Sequence, residues 1–330
     1  MARTATTPVV SLAVLGDSDS ESYRGTAERG GRFHDRTLQW TEVLGRLRPD
    51  QLDLGPWGDW GWPGKIVALQ RWLGLEVHGR APRKFDYLYN FAIGGATCDE
   101  LMGGSSHQAR QLVSLMDRDP ARWRSGVVVI RIGVNSFGKA DSLDQLAKDP
   151  AAPAVAATMA HCAQQVREAV ALIHATHAET RVVVVGIFDN SHWPRYLERW
   201  QSAQELRNIA SGLDQFDRVL RGMAEADARI AFFDDRAWFA RRWGGRAEDG
   251  RPAYRTLPVG QRLQVTNTAG DEPHNAVVAD GHAGVVWNTL WAQSLVDFLH
   301  RRFGMNLRPI TEMEAEGFLA SIGVSGGATR

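Results

Sequence analysis

The sequence predicts an α/β fold built on a parallel sheet with helices on both faces. Two observations carry this. Short apolar runs of strand length, such as Val9–Leu15, Gly126–Ile132 and Arg181–Ile187, alternate with longer helical stretches such as Ala154–Ala175 and Glu205–Ala226. Clusters of glycine, aspartate, serine and asparagine follow those runs directly, where a parallel sheet turns its strand ends toward solvent.

Val9–Leu15 reads as the first buried strand. With Met1–Pro8 ahead of it, the run has the outline of a weak signal h-region. It lacks a cleavage site, and the motif behind it needs the strand attached, so the strand reading is preferred. The compartment stays open: cytoplasmic by default, secreted if a leader has been removed. Gln39–Leu47 reads as a helix. The segment Gly55–Gly64 is dense in turn formers and tryptophan and reads as a loop. Ile66–Leu73 follows as a helix and Tyr87–Ala92 as a strand ending at Gly94-Gly95. Gln108–Met116 is helical, and Ile230–Asp234 is a short strand after the helix Glu205–Ala226. Residues 241–281 are irregular, with a hairpin as one form, and Gly284–Phe303 is the last helix, with Trp287, Leu290 and Trp291 at core spacing. One domain over 1–330 is expected, with loop insertions around 50–65 and 241–280.

The chain of 330 residues, 44% hydrophobic and 23% charged, is long enough to bury a substantial core. Lys+Arg and Asp+Glu balance at 38 each, so no basic field invites nucleic acid. No apolar run is long enough to span a bilayer. Cys98 and Cys162, the only cysteines, lack metal-ligand spacing and are expected as two free thiols. The short charge runs Arg83-Lys84 and Arg241-Arg242 are expected as solvated surface.

Candidate chemistry lies at the strand ends. In Gly16-Asp17-Ser18 a serine follows a strand at a helix start, exposing its hydroxyl and offering its N–H to a developing oxyanion. By itself Gly-Asp-Ser also reads as an N-cap. Asn90 to Thr97 ends a strand in Gly94-Gly95, letting backbone approach a ligand and leaving the Gly95 N–H as a candidate donor. Gly133-Val134-Asn135 places a side-chain amide at the rim, a donor that does not titrate. Asp280-Gly281-His282, just before the last helix, supplies a candidate general base and the carboxylate to orient it.

Taken together, in the order Ser, Gly, Asn and Asp-His, these segments resemble the blocks of the SGNH (GDSL-like) hydrolase superfamily, over residues 9 to 300. The resemblance implies a flavodoxin-like three-layer α/β/α sandwich with a mostly parallel sheet. It implies Ser18 as nucleophile, His282 as base with Asp280, and an oxyanion hole of Ser18 N–H, Gly95 N–H and the Asn135 amide. It implies ester hydrolysis without cofactor or metal. The sequence departs from the family in three places. Gly-Asp-Ser-Leu is Gly-Asp-Ser-Asp19, Gly-x-Asn-Asp is Gly-Val-Asn-Ser136, and one residue rather than two separates Asp280 from His282. Asp271-Glu-Pro-His274 has the family spacing nearby and is the alternative base.

Trp57, Trp60 and Trp62 form either an aromatic platform for substrate or a loop packed on its own domain. Asp189, Asn190 and His192 follow a strand and are expected, with Asp17, as walls of the substrate pocket. A cation held by Asp17, Asp19 and Asp189 lacks ligand spacing. The expected function is a serine esterase for a short acyl ester, with an acetylated carbohydrate among the candidates. A lipase- or phospholipase-like acyl hydrolase is the alternative, and a non-catalytic binding module on the same fold is the alternative of another class. The partner expected is a small-molecule or carbohydrate ester; the sequence specifies no oligomeric state.

Overall fold

A strand packed by helices on both faces is predominantly apolar, and Val10–Gly16 (β1), with Ser11 as its one polar side chain, is buried along its whole length. The computed structural model describes residues 9–73, 80–260 and 263–324; Met1–Pro8, on which the leader reading turns, lies outside them. The other central strands are Leu52–Asp53 (β2), Val127–Arg131 (β3), Arg181–Val185 (β4) and Ile230–Phe233 (β5). They form one five-stranded sheet in the order β2-β1-β3-β4-β5, and every pairing is parallel. This is the flavodoxin-like order.

Side chains alternate along each strand, so the sheet divides the core in two. Leu12, Val14, Val127 and Val129 face a tryptophan-rich layer with Trp40 on Trp40–Leu47 (α1) and Trp287 and Trp291 on Val285–Phe303, the long C-terminal helix. Ala13, Leu15, Val128 and Ile130 face the opposite layer, built by helices Gln108–Met116, Pro153–Thr176 and Ala203–Ala226. The chain begins at β1, steps outward to β2 and returns past β1 to β3. The crevice at that reversal, beyond the carboxyl ends of β1 and β3, is where such sheets hold ligands.

Several expectations are corrected. Tyr87–Ala92 is not a sheet strand: only Asn90 bridges to Val14. Beyond it the Asn90 side chain serves the turn, donating to Ser20 O at 2.8 Å and accepting from Ala92 N at 3.1 Å. The strand in this region is Lys84–Tyr87, paired antiparallel with Trp57–Trp60, so the tryptophan loop is partly a β-ribbon. Lys84 is buried rather than solvated, bonded to Asp86 Oδ2 at 2.9 Å and to Ala92 O. Cys98 and Cys162 form a disulfide with Cα atoms 5.1 Å apart. Their separation of 64 residues conceals a contact made only when Asp99–Met102 packs against the helix Pro153–Thr176. Asp235–Trp243 is helical where no helix was expected, and residues 244–277 hold a two-stranded ribbon and a three-stranded sheet rather than one hairpin. Gly284–Phe303 is not the last helix, since Glu312–Ser321 follows it. No described helix is long and apolar enough to cross a membrane.

Candidate active site

β1 and β3 come so close at Gly16, paired with Arg131, that a Cβ there would collide with the Arg131 carbonyl. The buried Gln108 amide holds the same glycine twice, accepting from Gly16 N at 2.8 Å and donating to Gly16 O at 2.9 Å. The next residue, Asp17, is buried, and its Oδ1 accepts from Asp19 N at 2.9 Å while Oδ2 has no partner. Burial, with the neighbouring Asp19, raises the Asp17 carboxyl well above the ordinary carboxylate range. Ser20 N and Glu21 N, each at 3.0 Å, also close onto Asp17 O. These bonds make a turn where a helix start was expected; the first α-helix among the described residues begins at Trp40. Ser18 is left partly exposed on that turn.

The Gly94-Gly95 turn lies beside it. Gly94 N donates to Glu21 Oε2 at 2.8 Å, and a Cβ on Gly94 would come 3.9 Å from Ser18 Cβ. Gly95 has φ +77° and faces open space. From β3 the chain passes through Gly133, whose φ of +134° and close neighbours Ile187 and Phe137, each 3.1 Å from a Cβ there, disfavour a side chain. Asn135 then sits in the short helix Val134–Phe137 and donates one amide hydrogen to Ala96 O at 3.1 Å. The amide is thereby tied to the glycine turn, and its second hydrogen remains for a ligand.

Asp280 and His282 form a local pair. Asp280 Oδ1 accepts from the His282 backbone N–H at 3.1 Å and meets Nδ1 at 3.0 Å. Asp280 Oδ2 accepts from Arg29 Nε at 2.7 Å, and Arg29 Nη2 stands 3.4 Å from His282 Nε2. Burial alone would raise the Asp280 carboxyl, but the bonds from His282 and Arg29 outweigh it and hold it well below the ordinary range. A guanidinium can only donate, so Nε2 facing it accepts and the ring proton lies on Nδ1, toward Asp280.

Ser18, Asn135, Asp280 and His282 line one cavity of about 220 Å³. Its apolar wall is Phe188, Trp193 and Trp287, packed edge to face with ring centroids 5.3–5.4 Å apart. Lys139 and Arg195 are exposed and stand on the same lining. Ser18 Oγ makes no hydrogen bond to His282, whose Nε2 faces Arg29. Among the expected pocket residues, Asn190 lines the cavity and is held by donation to Gly138 O at 2.8 Å. Asp17 lies buried beneath it. Asp189 is buried and caps the turn through Ser191 N at 2.9 Å. His192 faces elsewhere, with Nδ1 2.9 Å from the Tyr254 hydroxyl and its ring on Phe239.

His274 is exposed and off the cavity, and Asp271 Oδ1 is occupied by Ala279 N at 3.1 Å. Trp57, Trp60 and Trp62 do not line the cavity either; Trp57 packs on Phe85 and Tyr87. Arg29, Glu21 and Gln108 were not singled out from the sequence. Arg29 and Asp280 lie 251 residues apart, and no local spacing announces their contact. Among the described residues no cluster of three or more His, Cys, Asp or Glu side chains could hold a metal ion.

A model of the GDSL-like lipase/acylhydrolase family matches residues 14–254, a span that contains Ser18, Gly95 and Asn135 and ends before Asp280. Among solved structures, the chain is similar to an extracellular lipase from Streptomyces rimosus, with 18% identity, 74% of this chain and 86% of that one covered, and a TM-score of 0.38. It is similar to phospholipase A1 from Streptomyces albidoflavus NA297, with 16% identity, coverage of 71% and 83%, and a TM-score of 0.36. It is also similar to an acetyl xylan esterase from the rumen bacterium Butyrivibrio proteoclasticus, with 12% identity, coverage of 91% and 66%, and a TM-score of 0.35. No curated protein matches.

Proposed function

Because the chain belongs to the GDSL-like lipase/acylhydrolase family, we propose that it is a serine ester hydrolase working through an acyl-enzyme on Ser18. The observation that carries this reading is the meeting of Ser18, Asn135 and the Asp280–His282 pair on one cavity beyond the ends of β1 and β3. Ser18 Oγ attacks the ester carbonyl carbon while His282 Nε2 takes the hydroxyl proton. The charge that develops on the carbonyl oxygen is met by the N–H groups of Ser18 and Gly95 and by the Asn135 amide. Collapse breaks the acyl–oxygen bond, and His282 returns its proton to the departing alcohol. Water, deprotonated by His282, then attacks the acyl-enzyme and releases the acid. Asp280 keeps the Nδ1 proton in place and stabilises the imidazolium as it forms.

A cavity of about 220 Å³ suits a short acyl group, and the polar Lys139, Asn190 and Arg195 on its lining suit the hydroxyls of a sugar. An acetylated carbohydrate is therefore the substrate class proposed. A longer-chain acyl hydrolase is the second reading, favoured by the exposed Ile66, Leu69, Trp72 and Leu73 on and just after the helix Gly64–Trp72. Hydrolysis of p-nitrophenyl acetate by the wild type, its loss in Ser18→Ala, and fluorophosphonate labelling of Ser18 alone test the reaction. Undiminished turnover by folded Ser18→Ala would overturn it. A p-nitrophenyl ester series from acetate to palmitate separates the two substrate readings, since the small cavity predicts a sharp fall with chain length.

A further inference from the structure

The one-residue spacing of Asp280 and His282 has a geometric cost. Both bonds from residue 282 fall on the same carboxylate oxygen, its N–H at 3.1 Å and its Nδ1 at 3.0 Å. The other oxygen, Oδ2, is turned away from His282 and left to an outside partner. The pair also sits on a partly exposed turn, where water would compete for that oxygen; the side chains retain 35% and 23% of their accessible surface.

Arg29 fills this position. Its side chain is 8% exposed and is held from several directions. Its N–H donates to Thr26 O at 3.1 Å and its carbonyl meets His34 Nδ1 at 2.9 Å. The guanidinium lies over the Tyr23 ring at 4.6 Å, and Tyr23 in turn donates through its hydroxyl to Ala283 O at 3.0 Å. Arg29 therefore reaches the Asp-His turn from a platform that is itself bonded to the residue after His282. One edge of the guanidinium takes Asp280 Oδ2 at 2.7 Å, and Nη2 stands 3.4 Å from His282 Nε2. Nη1 is buried without a partner, so the group is placed for its contacts on this turn rather than for full satisfaction of its own donors.

We propose that Arg29 is a positioning residue for the base: bound to Asp280 Oδ2 and set against His282 Nε2, it fixes the rotamer of the carboxylate and the tautomer of the imidazole. It acts through Asp280 and His282 and takes no part in bond making or breaking. Its Nη2 contact is long and yields to the Ser18 hydroxyl when substrate closes the site, whereas the 2.7 Å bond to Asp280 persists. Lysine cannot reproduce this, because a point charge lacks the fork that addresses two acceptors at once.

The inference rests on the proposed serine-hydrolase reading, and the experiment keeps the two apart. Arg29→Ala, Arg29→Lys and His282→Ala are assayed with p-nitrophenyl acetate, with thermal melting alongside. The expected result is a folded Arg29→Ala whose kcat falls about 10- to 100-fold with KM nearly unchanged, part of the roughly 100- to 10,000-fold that a positioned base contributes. Guanidinium chloride at a few millimolar should restore part of that loss, and ammonium chloride at equal ionic strength should not. Wild-type kcat in Arg29→Ala, or a loss that guanidinium leaves untouched, overturns the assignment. Where Arg29→Ala does not fold, Arg29→Lys decides: lowered kcat at constant KM supports the role, and wild-type kcat overturns it. An active His282→Ala would mean that the site reading itself has failed, whereas an inactive His282→Ala beside a fully active Arg29→Ala would remove only the role given to Arg29.

Discussion

Ser18 and His282 line the same cavity but hang from the fold by different means. At Ser18 the chain is gripped through its backbone. Gly16 is wedged against Arg131, clamped at both N–H and C=O by Gln108, and followed by a buried aspartate whose own turn closes on three backbone N–H groups. At His282 the backbone carbonyl accepts from Val278 N at 2.8 Å, but the imidazole itself is held nearer the surface by ionic partners, Asp280 and Arg29. The first arrangement draws on backbone hydrogen bonds in a dry interior, which salt hardly reaches and which pH reaches only through the buried Asp17 carboxyl. The second depends on charge and on partial exposure, so it responds to both. On the proposed reading the difference suits the two roles: a nucleophile needs a fixed place for its oxygen, and a base needs a ring that can take up and release a proton.

The largest effects should ignore this difference. Ser18→Ala and His282→Ala should each cost about 10,000-fold or more in kcat, and the double variant should be little worse than either, because the two act as a unit. His274→Ala should be nearly silent; an inactive His274→Ala with an active His282→Ala would place the base on the other turn. Asp280→Asn comes next, at roughly 1,000- to 10,000-fold in kcat, through a misdirected imidazole. Asn135→Ala should lower kcat about 100- to 1,000-fold with little change in KM, since the amide bond to the oxyanion strengthens only in the transition state. A change in KM alone would make Asn135 a ground-state contact.

Two smaller effects separate the two ends. Gln108→Ala strands the buried Gly16 N–H, while Gly16 O keeps the bond from Ile93 N at 3.1 Å; one unsatisfied buried group costs about 1–3 kcal/mol, so melting should fall while turnover changes only a few-fold. Stability against pH should slope in opposite directions at the two ends. Burial raises the Asp280 carboxyl, but His282 and Arg29 more than reverse this, so its folded value is depressed. Its stabilisation is present above the unfolded value of about 3.9 and is lost as pH falls through the lower folded value. Asp17 is raised by burial and by Asp19, so its contribution is complete below about pH 3.9 and is lost as pH rises through the folded value. The penalty of Asp280→Asn in melting scans should therefore fade in acid, and that of Asp17→Asn should fade toward neutral pH. Parallel slopes would mean that the two ends are held alike.

Much of the site was legible because each of its parts is local. A strand buried on both faces is apolar in sequence and must stop at turn formers, so β1, β3 and the motifs at their ends could be read directly. Where a segment makes its hydrogen bonds with distant partners, reading failed. Tyr87–Ala92 has the composition of a strand, but Asn90 serves the turn with its own side chain and the pairing moves to Lys84–Tyr87. Lys84 looked like surface because a charge run shows nothing of the Asp86 carboxylate folded beneath it.

The sequence by itself determined the strand-and-helix alternation and the positions of Ser18, Asn135 and the two Asp–His candidates, because burial periodicity and turn chemistry act between near neighbours. Only the tertiary structure decided which Asp–His pair reaches the cavity, that Cys98 meets Cys162, that Gln108 holds Gly16 and that Arg29 holds Asp280. Those contacts join residues 64 to 251 apart, and they exist only because the strand order and the packing of the helices bring particular surfaces together.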